Sequence, residues 1–246
     1  MKVTAYKTPI VKANDDLKQI IKGTIKSLPE RSVVVIASKI FSTCENRFVE
    51  KTDNPNQKYD LIKNEANAYT DPHSSKYGLM MTIKRNILFV NAGIDESNAE
   101  NKYILWPENP QKSVNDIWEF LRKEYGVKEV GVTMSDSASQ MLNWGVVGRA
   151  IAYCGFNPLR SYVGTKDLFG KEMKMEKTNV MQSLTDAAVL EMGEGAEQTP
   201  IAIVEDITNI EFLDHVPTKE ELDELVIDIK DDAFAPILTK AEWHQN

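Results

Sequence analysis

The stretch RSVVVIAS at residues 31–38 places Val33, Val34, Val35 and Ile36 side by side. β-Branched side chains favour a strand, and successive residues of a strand point to opposite faces, so this run leaves neither face for water. It predicts a strand buried on both sides. VKEVGVTMS at 127–135 and PIAIVED at 200–206 read as further strands, the second short and buried. Between and around them lie helical patterns. Asn14 caps a predicted helix that runs to about Leu28, and Val114, Ile117, Trp118 and Leu121 recur at helical spacing before Gly126, a natural stop. Residues 178–192 form a helix ended by Gly193, and Thr218 with Glu221 spells a capping box. Strands and helices alternate without the spacing of a doubly wound fold, which predicts an α/β architecture, with mixed α+β character, around a mixed sheet.

The remaining elements are shorter. Residues 3–6 predict a strand, and residues 79–93 predict a hairpin turning at Lys84-Arg85-Asn86. Residues 145–155 predict a strand whose glycines admit a close neighbour. Residues 53–78 are polar and turn-rich around a helical candidate at 58–68; they belong at the surface, where they could form a lid.

Charge and composition exclude several functions. The net charge of −8 over 246 residues opposes nucleic acid and anionic lipid, so a phosphate ligand would need local lysines, backbone N–H groups or a divalent cation. No apolar run reaches the roughly 18 residues of a membrane span, and the first residues lack a signal-peptide core, which predicts a cytoplasmic protein. Cys44 and Cys154 lack zinc-site spacing and suggest no disulfide framework. His73, His215 and His244 read as surface residues.

Polar groups gather where the apolar runs stop. ILFV at 87–90 passes through small residues into Asp95, Glu96, Ser97 and Asn98; the 127–135 strand ends in a turn at Asp136-Ser137-Ala138-Ser139; and Glu194 stands between Gly193 and Gly195. The ends of buried strands are where α/β proteins place ligand chemistry. Carboxylates from separate segments suit Mg²⁺ or Mn²⁺, hard cations that take oxygen ligands. The same residues are also common turn formers and caps, and spacing alone does not bring them together.

Several blocks, taken in order, resemble the coenzyme F420-0:γ-glutamyl ligase family: ILFVNAGIDESNAENKYILWPENPQKS at 87–113, GVTMSDSASQMLNWGVVGRAIAYCGFNPLRSYVGTKDLFG at 131–170 and LEMGEGAEQTPIAIV at 190–204. TPIVKANDDL at 8–17 and VVIASKIFSTCENR at 34–47 fit as well, so the resemblance covers most of residues 8–206. It implies a catalytic domain over 1–206, with 207–246 completing it or forming a small second lobe, in an intertwined mixed α/β homodimer. It implies a ligase that joins L-glutamate to a small carboxylate acceptor as a γ-glutamyl amide, through an acyl phosphate, with GTP (or ATP) as co-substrate and Mg²⁺ or Mn²⁺ as cofactor. Asp95, Asp136 and Glu194 are then catalytic and metal-binding, with Ser137 as a further metal ligand. Thr8, Pro9, Ile10, Val11, Ser38 and Lys39 cradle phosphate, and Asn98, Met192, Gly193 and Gly195 lie by the nucleotide.

The pattern also breaks. Thr43 stands where the family has a second lysine, which removes a charge available to nucleotide phosphates. Gln140, Asn143 and Trp144 stand where arginines are usual, and none can replace an arginine fork on a phosphodiester or carboxylate. The acceptor is therefore F420-0-like or another acid; Trp144 could stack on a flat ring such as a pterin, giving a folate-like acceptor, or could pack in the core. A nucleotide-binding regulatory protein without turnover is the alternative from another functional class.

Overall fold

The computed structural model describes residues 1–245. Its central sheet contains β1 (Lys2–Tyr6), β2 (Ser32–Ala37), β8 (Val130–Ser139), β9 (Val146–Cys154) and β12 (Ile201–Glu205), in the order β1-β12-β2-β8-β9. Only β2 and β8 run parallel, with Val34 beside Val132 and Ala37 beside Ser135; the other neighbours are antiparallel.

Both faces of this sheet are covered, as the run at 33–36 requires. Val34 and Ile36 pack under α1 (Leu17–Thr24), α2 (Ser38–Cys44) and α4 (Pro110–Tyr125), through Ile21, Phe41, Ile117 and Leu121. Val33 and Val35 face the opposite way, onto Leu184, Ala188 and Val189 of α5 (Val180–Met192). Gly148 of β9 lets α5 approach: a Cβ there would lie 2.7 Å from Val189 and 2.9 Å from the Thr185 carbonyl.

An inserted lobe lies between α2 and α4. It holds β3 (Phe48–Glu50) paired with β7 (Lys102–Ile104), α3 (Gln57–Glu65), and a sheet of β4 (Ala68–Tyr69), β5 (Met81–Lys84) and β6 (Ile87–Val90). Its own small core is Ile62, Ala66, Met80, Ala92, Ile94 and Leu105. The predicted surface insertion at 53–78 thus supplies a helix and a strand to a packed unit. The hairpin turn forms as predicted, with Arg85 and Asn86 both left-handed.

A second hairpin, β10 (Leu159–Ser161) with β11 (Lys177–Asn179), carries a long exposed tip. After β12, Ile207, Ile210, Phe212, Leu222 and Leu225 pack against the α5 face, with α6 (Lys219–Asp223) opened by the predicted capping box. The chain continues through α7 (Ala235–Leu238) to β13 (His244–Gln245), which pairs with β4 of the inserted lobe. Among the described residues no helix is long and apolar enough to cross a membrane.

Several expectations need correction. Asp16, not Asn14, caps α1, its side chain accepting from the Lys18 and Gln19 amides, while Asn14 is left-handed; the helix stops at Thr24. The strand predicted over 31–38 stops at Ala37, and Ser38 instead opens a helix over 38–44 that places Lys39 in its first turn. Residues 136–139 are no turn: β8 runs on to Ser139 because β9 pairs with it throughout, Asp136 beside Arg149 and Ser139 beside Val146. Trp144 is not in the core but 96% exposed.

Candidate active site

The parallel pairing of β2 with β8 brings Ser38-Lys39, where the chain turns into α2, close to Asp136, one residue past the Ala37–Ser135 pair. β2 leaves the sheet there for α2 while β8 runs on beside β9, and α/β sheets bind ligands in the crevice outside the carboxyl ends of their parallel strands.

Asp95 arrives from the inserted lobe. After β6 the chain passes through Asn91, Ala92 and Gly93, all at positive φ. A left-handed non-glycine residue costs roughly 1–2 kcal/mol, so this turn needs support. Asn91 exchanges hydrogen bonds with Met80, its amide donating to the Met80 carbonyl at 2.8 Å and its side chain accepting from the Met80 amide at 3.0 Å. The Ala92 amide donates to Thr82 Oγ1 at 2.9 Å. Asp95 then trades backbone hydrogen bonds with Ile104, at 3.0 and 2.8 Å.

The two adjacent acids separate. Glu96 turns to Lys51 and Lys58 within the inserted lobe. Asp95 turns to Lys39, whose Nζ lies 2.6 Å from Oδ2. The Ser97 amide donates to Asp95 Oδ1 at 2.8 Å and its hydroxyl to Oδ2 at 3.0 Å, while Lys39 also donates to Ser97 Oγ at 2.8 Å. Burial would raise the Asp95 carboxyl; Lys39 and Ser97 outweigh it and hold the group below the usual carboxylate range.

Asp136 is treated differently. Some of its surface stays open, yet protein atoms crowd it closely, and that desolvation pushes its carboxyl up to about 6. The Trp106 indole N–H, donating to Oδ2, and the Ser137 amide, donating to Oδ1 at 2.9 Å, pull the other way, and the Asp95 charge adds to the rise.

The glycine-glutamate loop after α5 closes the cluster. Ser137 Oγ donates to Glu194 Oε2 at 2.5 Å, and the Asn98 amide reaches the Gly195 carbonyl at 3.5 Å. Met192 is buried at the end of α5, its carbonyl accepting from Thr199 Oγ1. The Thr8 amide donates to the Gln198 carbonyl at 3.1 Å, and Gln198 Nε2 donates back to the Thr8 carbonyl at 2.7 Å, which ties residues 8–11 to this loop. Thr8 is buried, whereas Pro9 and Ile10 are exposed and Val11 is half-buried.

Lys39, Asp95, Asn98, Asp136, Ser137 and Glu194, expected from separate segments, come together here, while Thr8 joins only the far end of the same loop, through Gln198. The oxygen donors suit a hard divalent cation in kind, and Asp95 and Asp136 are close enough for their charges to interact. Among the described residues no three His, Cys, Asp or Glu side chains stand as a ready metal cluster; the Lys39 ammonium is the cation beside Asp95. Glu197 and Trp106 carry no local sequence signal, and Ser97, though it stands in the polar run after the 87–90 strand, has no distinct one of its own. Glu197 organises the loop by accepting from the Gly195 amide at 2.7 Å, and a Cβ at Gly193 would lie 2.5 Å from its carboxyl carbon. Burial pushes both cysteine thiols up to about 12, which disfavours the nucleophilic thiolate.

The model of the F420-0:Gamma-glutamyl ligase family matches residues 5–206. The chain belongs to this family. Among its relatives, the coenzyme F420:L-glutamate ligase of Methanosarcina mazei is 31% identical over 218 residues, 82% of this chain and 84% of that protein. The enzymes of the same name from Methanopyrus kandleri and Halorubrum lacusprofundi are 30% and 31% identical, covering 78% and 84% of this chain and 81% and 86% of their own lengths. The family match takes in each segment of the site, from Thr8 to Gln198, and stops at the end of β12.

Proposed function

We propose that the protein is a ligase that forms an amide between L-glutamate and the carboxylate of a small F420-0-like or folate-like acceptor, at the expense of GTP. The observation that carries this reading is the meeting of Asp95, Lys39 and Asp136 at the carboxyl end of the parallel strand pair, with the Glu194 loop beside it. A carboxylate does not condense with an amine at neutral pH without a better leaving group. In the proposed sequence an acceptor carboxylate oxygen attacks the γ-phosphorus, the bond to the β–γ bridging oxygen breaks, and GDP departs with that electron pair. The glutamate amine then attacks the acyl carbon of the acyl phosphate, phosphate leaves with the C–O electrons, and the nitrogen gives up a proton.

Phosphoryl transfer asks a protein mainly for position and for positive charge on the phosphate oxygens. Lys39 and the backbone of residues 8–11 would hold the triphosphate, and Asn98 would steady the loop beside it. Asp95 and Asp136, with Ser137 and Glu194, would hold Mg²⁺ or Mn²⁺, which when bound supplies charge neutralisation to the transferring phosphoryl group. In this role Asp136 must bind as the anion, which its raised proton affinity opposes until a cation arrives.

Gln140, Asn143 and Trp144 lie at the tip between β8 and β9, with Trp144 at 96% and Leu142 at 104% exposure. An open indole in place of a charged fork favours a flat, less anionic acceptor over one recognised by phosphate. Leu168 and Phe169, at 99% and 96% on the β10–β11 tip, add apolar surface that a second copy in a homodimer would cover.

Mass spectrometry of reactions with labelled glutamate, GTP, Mn²⁺ and a panel of carboxylate acceptors tests the reading. The expected result is an acceptor–glutamate amide and GDP in equal amounts. Metal-dependent nucleotide binding with no product from any acceptor would instead identify a regulatory nucleotide-binding protein.

A further inference from the structure

Behind Asp136 lies a buried polar cluster that the ligase reading leaves unused. Lys84 is only 5% exposed; its ammonium contacts Glu65 at 2.8 Å and the Ala92 carbonyl at 3.2 Å, and stands 4.9 Å from the centre of the Trp106 ring. Arg47 holds the other Glu65 oxygen at 2.9 Å and donates through Nε to the Trp106 carbonyl at 3.0 Å. Phe89 meets the indole edge-on, with centroids 5.0 Å apart. Gly93 lies so close that a Cβ would fall 2.1 Å from the indole nitrogen.

All these contacts hold one ring that is 2% exposed and has a single polar atom, and that atom donates to Asp136 Oδ2. The comparison within the molecule is Trp118, which satisfies its indole N–H on a backbone carbonyl, that of Val130, at 2.8 Å. Trp106 spends its hydrogen bond on a carboxylate instead. With the Ser137 amide on Oδ1, each carboxylate oxygen has one donor from the protein and keeps lone-pair capacity for another partner.

We propose that Trp106 is a positioning residue for the cation site: its indole N–H, clamped between the Lys84–Glu65–Arg47 cluster and the Gly93 turn, fixes the Asp136 carboxylate with its free lone pairs toward the cleft. The inference rests on the reading of Asp136 as a cation ligand. Trp106 follows β7 of the inserted lobe and Asp136 belongs to the central sheet, so the same bond ties together the two parts of the molecule that carry the site. Outer partners that orient metal ligands in this way raise affinity without touching the ion.

The test is a Mn²⁺ titration of the whole protein, with free Mn²⁺ read by electron paramagnetic resonance, comparing wild type with Trp106→Phe. Phe keeps an aromatic ring and drops the donor; near-ultraviolet circular dichroism and the thermal midpoint report folding alongside. The expected result is Mn²⁺ binding weakened roughly 10- to 100-fold in a folded variant, as for other outer-shell losses. A second measurement needs no change at Trp106: in wild type labelled with ¹⁵N at its four tryptophans, one indole N–H signal should move on adding Mg²⁺ and also in Asp136→Asn. A folded Trp106→Phe that binds Mn²⁺ as tightly as wild type overturns the inference while leaving the cation reading intact. If the variant does not fold, the indole signal decides, and its indifference to both perturbations overturns the inference. Wild type that binds no Mn²⁺, with or without GTP, overturns the cation reading and this inference with it.

Discussion

Asp95 and Asp136 share a cleft and a residue type, but the regions that carry them treat the carboxylate in opposite ways. Asp95, carried by the inserted lobe, meets the Lys39 ammonium from α2 and the hydroxyl of its neighbour Ser97, which lower its proton affinity; Asp136, on the central strand, is crowded by protein atoms and receives only neutral donors, the Trp106 indole from the inserted lobe and the Ser137 amide, and its proton affinity rises. Asp95 already pairs with the Lys39 ammonium, whereas among the described residues no ammonium contacts Asp136, so a divalent ion in the proposed site would act most by drawing Asp136 into its charged form. In the proposed site the inserted lobe would bring Asp95 already paired with Lys39, and the central sheet would bring Asp136 as a poorly solvated anchor.

The largest expected effect removes either side. Asp136→Ala and Asp95→Ala should each lower glutamate incorporation by about three orders of magnitude, the equivalent of several kcal/mol of lost charge stabilisation. Steady-state assays check this, and a full-activity variant at either position would break the pairing of the two regions.

Next come two glycines that contrast the inserted turn with the exposed tip. Gly93 has φ +71° and a Cβ there would fall within 2.1 Å of the Trp106 indole, so Gly93→Ala should cost about 2–4 kcal/mol in urea unfolding, from backbone strain and overpacking together. Gly145 has φ +104° with nothing within 4 Å, and Gly145→Ala should cost about 1–2 kcal/mol, from strain alone. Equal costs would mean that the indole does not bear on the turn.

The pH dependence of the metal-free protein sharpens the contrast directly. Asp136 has a raised value when folded, so its contribution to stability is complete below the ordinary carboxyl range and is lost as pH rises through about 6. Asp95 has a lowered value, so its contribution is present above the ordinary range and is lost as pH falls through its folded value. Thermal midpoints from about pH 4 to about pH 7 should show a decline that flattens in Asp136→Asn. The loss of unfolding free energy behind it should be of order 1–2 kcal/mol, discounted for the solvent that still reaches the group. The smallest effect is expected at Trp144. Because it packs on nothing, Trp144→Ala should leave stability within about 0.5 kcal/mol, and its consequence should appear in acceptor selectivity.

How much of this was visible in the chain follows the range of the interactions involved. Runs with strong local patterns declared themselves: Val33 to Ile36, the left-handed Arg85–Asn86 hairpin turn, α4 with its Gly126 stop, and the Thr218 capping box. Elements decided by a distant partner did not. Residues 136–139 look like a turn because they are polar, and become strand only because β9 lies alongside. Lys84 reads as a turn residue beside Arg85, yet Glu65, 19 positions earlier, draws it into the interior. Helix α2 spans only seven residues, too few for a periodic pattern to emerge. The candidate site was visible as motif blocks in order, whereas its support was not: nothing near Trp106 in the chain announces that its indole meets Asp136, 30 positions on.

The most direct measurement is anomalous X-ray scattering at the manganese edge from crystals grown with Mn²⁺ and a nonhydrolysable GTP analogue. The expected result is a peak in contact with the carboxylates of both Asp95 and Asp136, with Lys39 turned from Asp95 toward phosphate. A nucleotide-bound structure with no peak there, or with Mn²⁺ touching neither carboxylate, would contradict it.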